Sequence, residues 1–187
     1  MALITDPPRV ASAIPIVAVC HDNIDAFLAH AEALTRNWLQ STHFRAKPHT
    51  HALVPAPDGG IAEVVVGIKN ANDSYALAHL PLALPPGDYA LATHHDVLDA
   101  NVAALSWGLG CYQFTRYKKA SRAPANLVLG ASENVARIEK ILRATNLVRD
   151  LVNTPTEDMG PAHLLTLQKS LPLNSARPFA SGWVTNY

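Results

Sequence analysis

The sequence predicts an α/β fold: a mixed, mostly parallel sheet with helices on both faces, followed by a long connecting helix. Three features carry that reading. Short apolar runs rich in β-branched residues, such as Ile14-Pro-Ile-Val-Ala-Val-Cys20, are continuous rather than alternating, the pattern of strands covered on both faces. Segments with apolar residues at helical spacing lie between them. Pro57-Asp-Gly-Gly60 sits between two strand-like runs and marks a hairpin, so one strand is expected to run antiparallel. The expected organisation is an N-terminal α/β domain over 1–131, a connecting helix over 132–153, and a hinge with a remnant tail over 154–187.

Taken in order, residues 1–13, with Pro7 and Pro8, read as an irregular lead-in. Ile14 to Cys20 is the first strand, with Pro15 tolerated near its start. Asp22 or Asn23 caps a helix over 23–38, in which Ile24, Phe27, Leu28, Ala31 and Leu34 fall at helical spacing. A polar, His-rich loop follows over 41–50. His51–Pro55 and Ile61–Ile68 form the hairpin. Asn72 or Asp73 opens a helical segment with Tyr75, Leu77, Ala78 and Leu80, and Pro85-Pro-Gly87 ends it. Tyr89–Thr93 is a strand, Asp96–Gly110 a helix and Asn126–Gly130 another strand. Ser132 then caps a long helix whose apolar set is Val135, Ile138, Ile141, Leu142, Thr145, Val148, Leu151 and Val152. Asn153, Pro155, Gly160 and Pro161 stop it. In the tail, Pro172 and Pro178 interrupt any helix, and Phe179, Trp183 and Tyr187 lack a period.

Composition bounds the function. Of 187 residues, 49% are hydrophobic and 16% charged, enough apolar matter for a sizeable core. Net charge is zero with His neutral, so no global field draws the chain to nucleic acid or an acidic membrane. Cys20 and Cys111 are far apart and form no C-x-x-C motif, which suits reduced, partly buried thiols. The first residues lack the basic start and apolar core of a signal peptide, and no apolar run is long enough to span a bilayer. A cytoplasmic protein without membrane attachment is expected.

Candidate chemistry is sparse. His49-Thr-His51 would put two imidazoles on one strand face, and His94-His-Asp96 is a second cluster. Neither has a second nearby pair and no H-E-x-x-H occurs, so surface histidines are the simpler reading. No G-x-S-x-G elbow is present, and Cys20 has no motif to mark a base. Gly108-Leu-Gly110 lies at a helix end rather than after a strand, so it is no phosphate loop. The most suggestive patch is Tyr112-Gln-Phe-Thr-Arg-Tyr-Lys-Lys119 with Arg122, where aromatics alternate with cations. Arg116, Lys118, Lys119 and Arg122 are the candidate nucleic-acid contacts. A solvated basic edge after a helix C-terminus explains the same residues.

Two stretches resemble one family. Arg149-Asp-Leu-Val-Asn-Thr-Pro155 with Asp158-Met-Gly-Pro161 resembles the hinge where the first domain of the leucyl aminopeptidase (cytosol aminopeptidase) family meets its catalytic domain. The matching positions are Arg149, Asp150, Asn153, Pro155 and Pro161. Gly108-Leu-Gly-Cys-Tyr-Gln-Phe114 with Tyr117-Lys118 resembles a segment of the family's first domain, in the same order along the chain. The resemblance covers roughly residues 100 to 164.

The resemblance implies that a complete member is a peptidase with two divalent metals, manganese or zinc, whose bridged water attacks the peptide carbonyl. The ligands lie in the catalytic domain, including an N-T-D-A-E-G-R motif that is absent here. No catalytic or metal-binding residue therefore carries over, and no cofactor is expected on this chain itself. The partners the resemblance implies are a catalytic domain of the same family and a homo-oligomer, hexameric in complete members, with DNA in some. The expected function is a non-catalytic assembly or interaction domain, in a truncated or frame-shifted product inactive alone. The alternatives are a DNA-binding regulatory module and a small-ligand domain using loops after its strands, with nucleotides or ADP-ribose-like compounds as probes.

Overall fold

Continuous apolar strands need cover on two faces, and these strands receive it. The computed structural model describes residues 3–92, 98–130 and 134–170. Six strands, β1 (Leu3–Thr5), β2 (Ile14–Cys20), β3 (His51–Pro55), β4 (Ile61–Ile68), β5 (Asp88–Leu91) and β6 (Asn126–Leu129), form one sheet in the order β1-β6-β5-β2-β4-β3. Every neighbouring pair is parallel except the β3–β4 hairpin. Its turn is closed by Ala56 N–H to Gly60 O at 2.9 Å, and Gly59 takes the left-handed φ of 87° that the turn demands.

The helices are α1 (Pro7–Val10), α2 (Ile24–His30), α3 (Ala33–Ser41), α4 (Leu80–Ala83), α5 (Ala100–Gly110), α6 (Val135–Asn153) and α7 (Pro161–Ser170). Alternate strand residues feed two cores. Ile16, Ala18, Val64 and Val66 join Trp107 of α5 and Ile138 and Leu142 of α6 on one face. Val17, Val19 and Val65 join Leu28 of α2 and Leu39 of α3 on the other. Two polar groups buried on α5 are matched: Trp107 Nε1–H donates to Ala125 O at 3.2 Å, and the Ser106 hydroxyl accepts Leu77 N–H at 2.7 Å.

Several expectations need correction. The lead-in is not irregular. Leu3–Thr5 pair in parallel register with Leu127–Leu129, and Arg9 of α1 bonds Asp88 at the start of β5. The helix expected over 23–38 is two helices, because Ala31 and Glu32 are extended (ψ 151° and 152°). Arg36 replaces the lost helical bonds by donating to Leu28 O (2.9 Å) and Ala31 O (2.6 Å), capping the carbonyl end of α2. Residues 72–79 are mostly turns, anchored by the Asp73 carboxylate on Tyr75 N–H, and only α4 is helical. The helix expected from Asp96 starts at Ala100, where the Asp99 carboxylate accepts from Asn101 and Val102. The Ser132 cap, the cluster at 94–96 and the tail aromatics lie outside the described residues.

The chain divides into two units, 1–148 and 149–187. The first holds the whole sheet. In the second, the Thr154 hydroxyl donates to Asp150 O at 2.6 Å where α6 ends, a 3-10 turn spans Thr156–Asp158, and Pro161 opens α7.

Candidate functional site

The loop between α5 and β6 carries the aromatic and basic residues singled out above. Gln113 organises it: its amide donates to Arg122 O (2.8 Å), while its carbonyl oxygen accepts from both the N–H and the hydroxyl of Ser121 (2.9 Å each). Phe114 and Tyr117 meet edge to face at 5.7 Å, and the Arg116 guanidinium lies 5.7 Å from the Tyr117 ring centre. Arg116, Lys118 and Lys119 are exposed. Arg122 differs from them. It is half-buried, and its guanidinium donates to Leu82 O (3.0 Å) and Leu84 O (2.6 Å), the carbonyls that α4 leaves unpaired. The four cations are thus three surface charges and one that ties the loop to the fold.

A second cluster was only half visible in sequence. His49 and His51 are joined by His79, with ring centres 6.0 and 5.4 Å away. The supporting arch is tight, with Ala46 (φ 48°) and His49 (φ 62°) in the left-handed region. Gly67 holds it from β4, donating to Thr50 O and accepting from His49 N–H. Both ring nitrogens of His79 are buried without a partner. Burial first, then His51 and His49, pushes its pKa down to about 4, so the ring is neutral at physiological pH. Among the described residues no three His, Cys, Asp or Glu side chains are arranged to hold a metal ion.

Both cysteines are free and partly buried. Burial raises Cys20, with Asp22 adding to it, and pushes Cys111 up to about 11, so both are protonated thiols rather than nucleophiles. Cys111 lines a cavity of about 520 Å³ beside α6, with Leu3, Leu142, Glu139, Arg143 and Asn146 also on its wall. Sequence reasoning missed this cavity, because Glu139, Arg143 and Asn146 look like the solvated face of a helix. Of the hinge positions, Arg149, Asp150 and Asn153 lie in the last turns of α6, Pro155 precedes the 3-10 turn, and Pro161 begins α7. Between Asn153 and Pro155, Thr154 is buried, although it is not one of the matching hinge positions.

The fold matches known proteins. The model of the M17 aminopeptidase N-terminal domain matches residues 14–130. The chain belongs to the M17 aminopeptidase family. Within the family, it is 30% identical over 125 residues to a probable cytosol aminopeptidase of Leifsonia xyli subsp. xyli, covering 58% of this chain and 25% of that protein. The crystal structure of the cytosol aminopeptidase from Coxiella burnetii superposes with a TM-score of 0.79 at 31% identity, over 90% of this chain and 36% of that one. A tomato leucine aminopeptidase variant (TM-score 0.63, 18% identity, 90% of this chain and 41% of that one) shares the fold. So does the bottromycin maturation enzyme BotP, solved with Mn (0.58, 21%, 83% and 35%). The chain thus spans about a quarter of its curated M17 relative, and the part that matches is the N-terminal domain. Among the described residues no helix is long and apolar enough to cross a membrane.

Proposed function

We propose that these residues form the non-catalytic interaction domain of a metal-dependent leucyl aminopeptidase and have no peptidase activity by themselves. The observation that carries the interaction role is the exposed apolar side of α6. Its apolar set has the spacing of a buried stripe, yet only Ile138 and Leu142 are buried. Ile141 is 39% exposed and Val148 58%, and in the second unit Val152 is 79% exposed. Leu164 and Leu165 of α7 are exposed as well. Apolar positions of this kind are the material of protein interfaces. A catalytic domain of the same family is the partner that the membership favours, with a homo-oligomer as the wider assembly in the cytoplasm. The two divalent ions, manganese or zinc, belong to that partner domain, since the N-T-D-A-E-G-R motif that supplies ligands is absent from this sequence.

Two measurements test this. Purified chain with added Mn²⁺ or Zn²⁺ is expected to release no p-nitroaniline from leucine p-nitroanilide, and metal-dependent release would overturn the proposal. A catalytic domain of the family, supplied separately, is expected to be retained by the chain and lost on V148D with V152D. Equal retention by both forms would remove the interface role.

A second reading has its own observation. The exposed Arg116, Lys118 and Lys119, with Arg116 set over the Tyr117 ring, present cations beside an aromatic face in the way single-stranded nucleic acids are held. Arg122 contributes to this reading only by fixing the loop.

A further inference from the structure

We infer that the cavity at the carboxyl end of β2 is a binding site for an uncharged, amino-bearing nucleobase, adenine or cytosine, as the base or its nucleoside. Topology singles out the place. From β2 the chain moves to β4 on one side and then crosses to β5 on the other, so the strand order reverses at β2. In open parallel sheets the connections part at such a reversal and leave a crevice at the carboxyl ends of the strands. Among the described residues β5 accompanies β2 from Ile14 to Ile16, and β2 continues beside β4 to Cys20. A cavity of about 450 Å³, in the range of small-ligand sites, lies against that continuation.

Its wall has an apolar and a polar part. Ala18 and Val19 are buried and Phe27 is half-buried, a dry surface with one aromatic ring. The polar part comes from one flank of α2, where Asn23, Phe27 and His30 are spaced i, i+4 and i+7, beside the side that carries Ile24 and Leu28 into the core. Asn23 is the N-cap residue of α2, and an asparagine there ordinarily accepts a backbone N–H. This one makes no cap bond and has no other side-chain partner among the described residues. Its amide therefore presents a donor and an acceptor at the mouth of the cavity, where water serves them in the free chain. His30 is oriented by its own helix: Nδ1–H donates to Ala26 O at 2.9 Å, so Nε2 of the neutral ring is an acceptor.

That pattern selects the ligand. The two acceptors, Asn23 Oδ1 and His30 Nε2, call for two N–H groups, and the Asn23 amide N–H calls for an acceptor beside them. An exocyclic amine next to an aromatic ring nitrogen supplies all three. Asparagine pairs in this two-bond way with the amine and ring nitrogen of adenine, and the second amine N–H is left for His30. The flat ring lies on Phe27, as bases lie on aromatic side chains. An aliphatic ligand would fill the same space without meeting the amide or the imidazole. None of the described lining residues is Lys or Arg, so the wall offers no counter-charge to a phosphate or carboxylate. The base is thus the recognised part, with the sugar towards solvent.

Isothermal titration calorimetry on the full chain tests the proposal. Adenosine, cytidine or both are expected to bind, and the tighter one fixes the ring size. Inosine and uridine carry a carbonyl in place of the amine, and each is expected to bind at least tenfold more weakly than its amino counterpart. The 5′-monophosphate of the tighter nucleoside is expected to gain no more than twofold. N23A is expected to raise Kd at least tenfold with an unchanged melting temperature, since no cap bond is lost. A26L keeps a good helix former on the exposed side of α2 and fills the cavity, so it is expected to abolish binding. Absence of heat with both amino nucleosides, inosine or uridine matching its counterpart, a larger gain from the phosphate, or full affinity in N23A or A26L would overturn the assignment. The nucleoside comparisons use the unaltered chain, so they decide the matter even where a variant fails to fold.

Discussion

His79 sits at a place where neutral and charged imidazole differ sharply in free energy. Its folded pKa, about 4, lies below the ordinary 6.5, because burial and then His51 and His49 disfavour the cation. Between those values the unfolded chain binds a proton that the folded chain refuses. Stability is therefore fully present above pH 6.5 and is lost as pH falls towards 4. The ring is partly open to water, so the loss at pH 5 is expected to be on the order of 1–2 kcal/mol rather than the full value of the shift. Urea midpoints at pH 7.5 and 5 read it directly. H79L should flatten that slope while leaving stability at pH 7.5 little changed, since neither ring nitrogen has a partner to lose. Unchanged slope in H79L would assign the acid sensitivity elsewhere. Gly67 is the other single residue on which this corner depends. A Cβ on it would fall 2.2 Å from Lys47 O and 2.4 Å from the Ala46 carbonyl carbon, and both are backbone atoms that cannot swing aside. G67A is expected to cost about 2–3 kcal/mol by denaturant titration, and a cost below 0.5 kcal/mol would show that the arch can move. At this scale the sequence was informative where partners are local. The Asp58 bond to Gly60 N–H is a short-range consequence of residue type. It was silent on His79, which reaches His51 across 28 positions, and on Arg122, whose partners lie in α4 and just after it, about forty positions back.

Periodicity identifies an element without saying what covers it, and α6 shows the difference. Its stripe from Val135 to Val152 was legible, as were β2, the hairpin, β5, β6 and the body of α5. The sheet, however, covers the stripe only at its beginning, with Ile138 and Leu142 in the core and Ile141 and Val148 outside. Substitutions along the one helix should therefore divide by position. L142A is expected to destabilise the chain by about 2–5 kcal/mol, since it empties a filled core position against Gly108. V148D should stay within about 0.5 kcal/mol of the parent, because nothing in the first unit buries it. Thermal melts of the two variants check this, and a large loss in V148D would mean that the exposed stripe already has an occupant in the isolated chain. Elements set by non-local pairing were the illegible ones. Three residues at β1 form a strand only because β6 lies alongside, and the break between α2 and α3 is stabilised by Arg36 reaching back rather than by a helix-breaking residue. Propensity alone cannot report either.

Across the whole molecule, opposite charges balance, with fifteen basic and fifteen acidic residues. Nucleic-acid binding would therefore depend on a local field, with no long-range attraction to support it. The exposed part of that field is Arg116, Lys118 and Lys119, because Arg122 is committed to the carbonyls of Leu82 and Leu84. Three phosphate contacts on single-stranded DNA release counterions with a slope of log K against log salt of roughly −2, and on a duplex of about −3. Filter binding or fluorescence anisotropy from 50 to 200 mM salt should give a slope in that range if the patch is a genuine contact surface. Charge reversal at Lys118 and Lys119 should abolish binding, whereas R122A should act through folding, lowering the melting temperature and weakening binding only in proportion. Binding that ignores salt, or that survives K118E with K119E, would remove nucleic acid from the partners of this surface. The assembly role would then rest on α6 alone, since that exposed helix carries its own apolar side and none of these three cations lies on it.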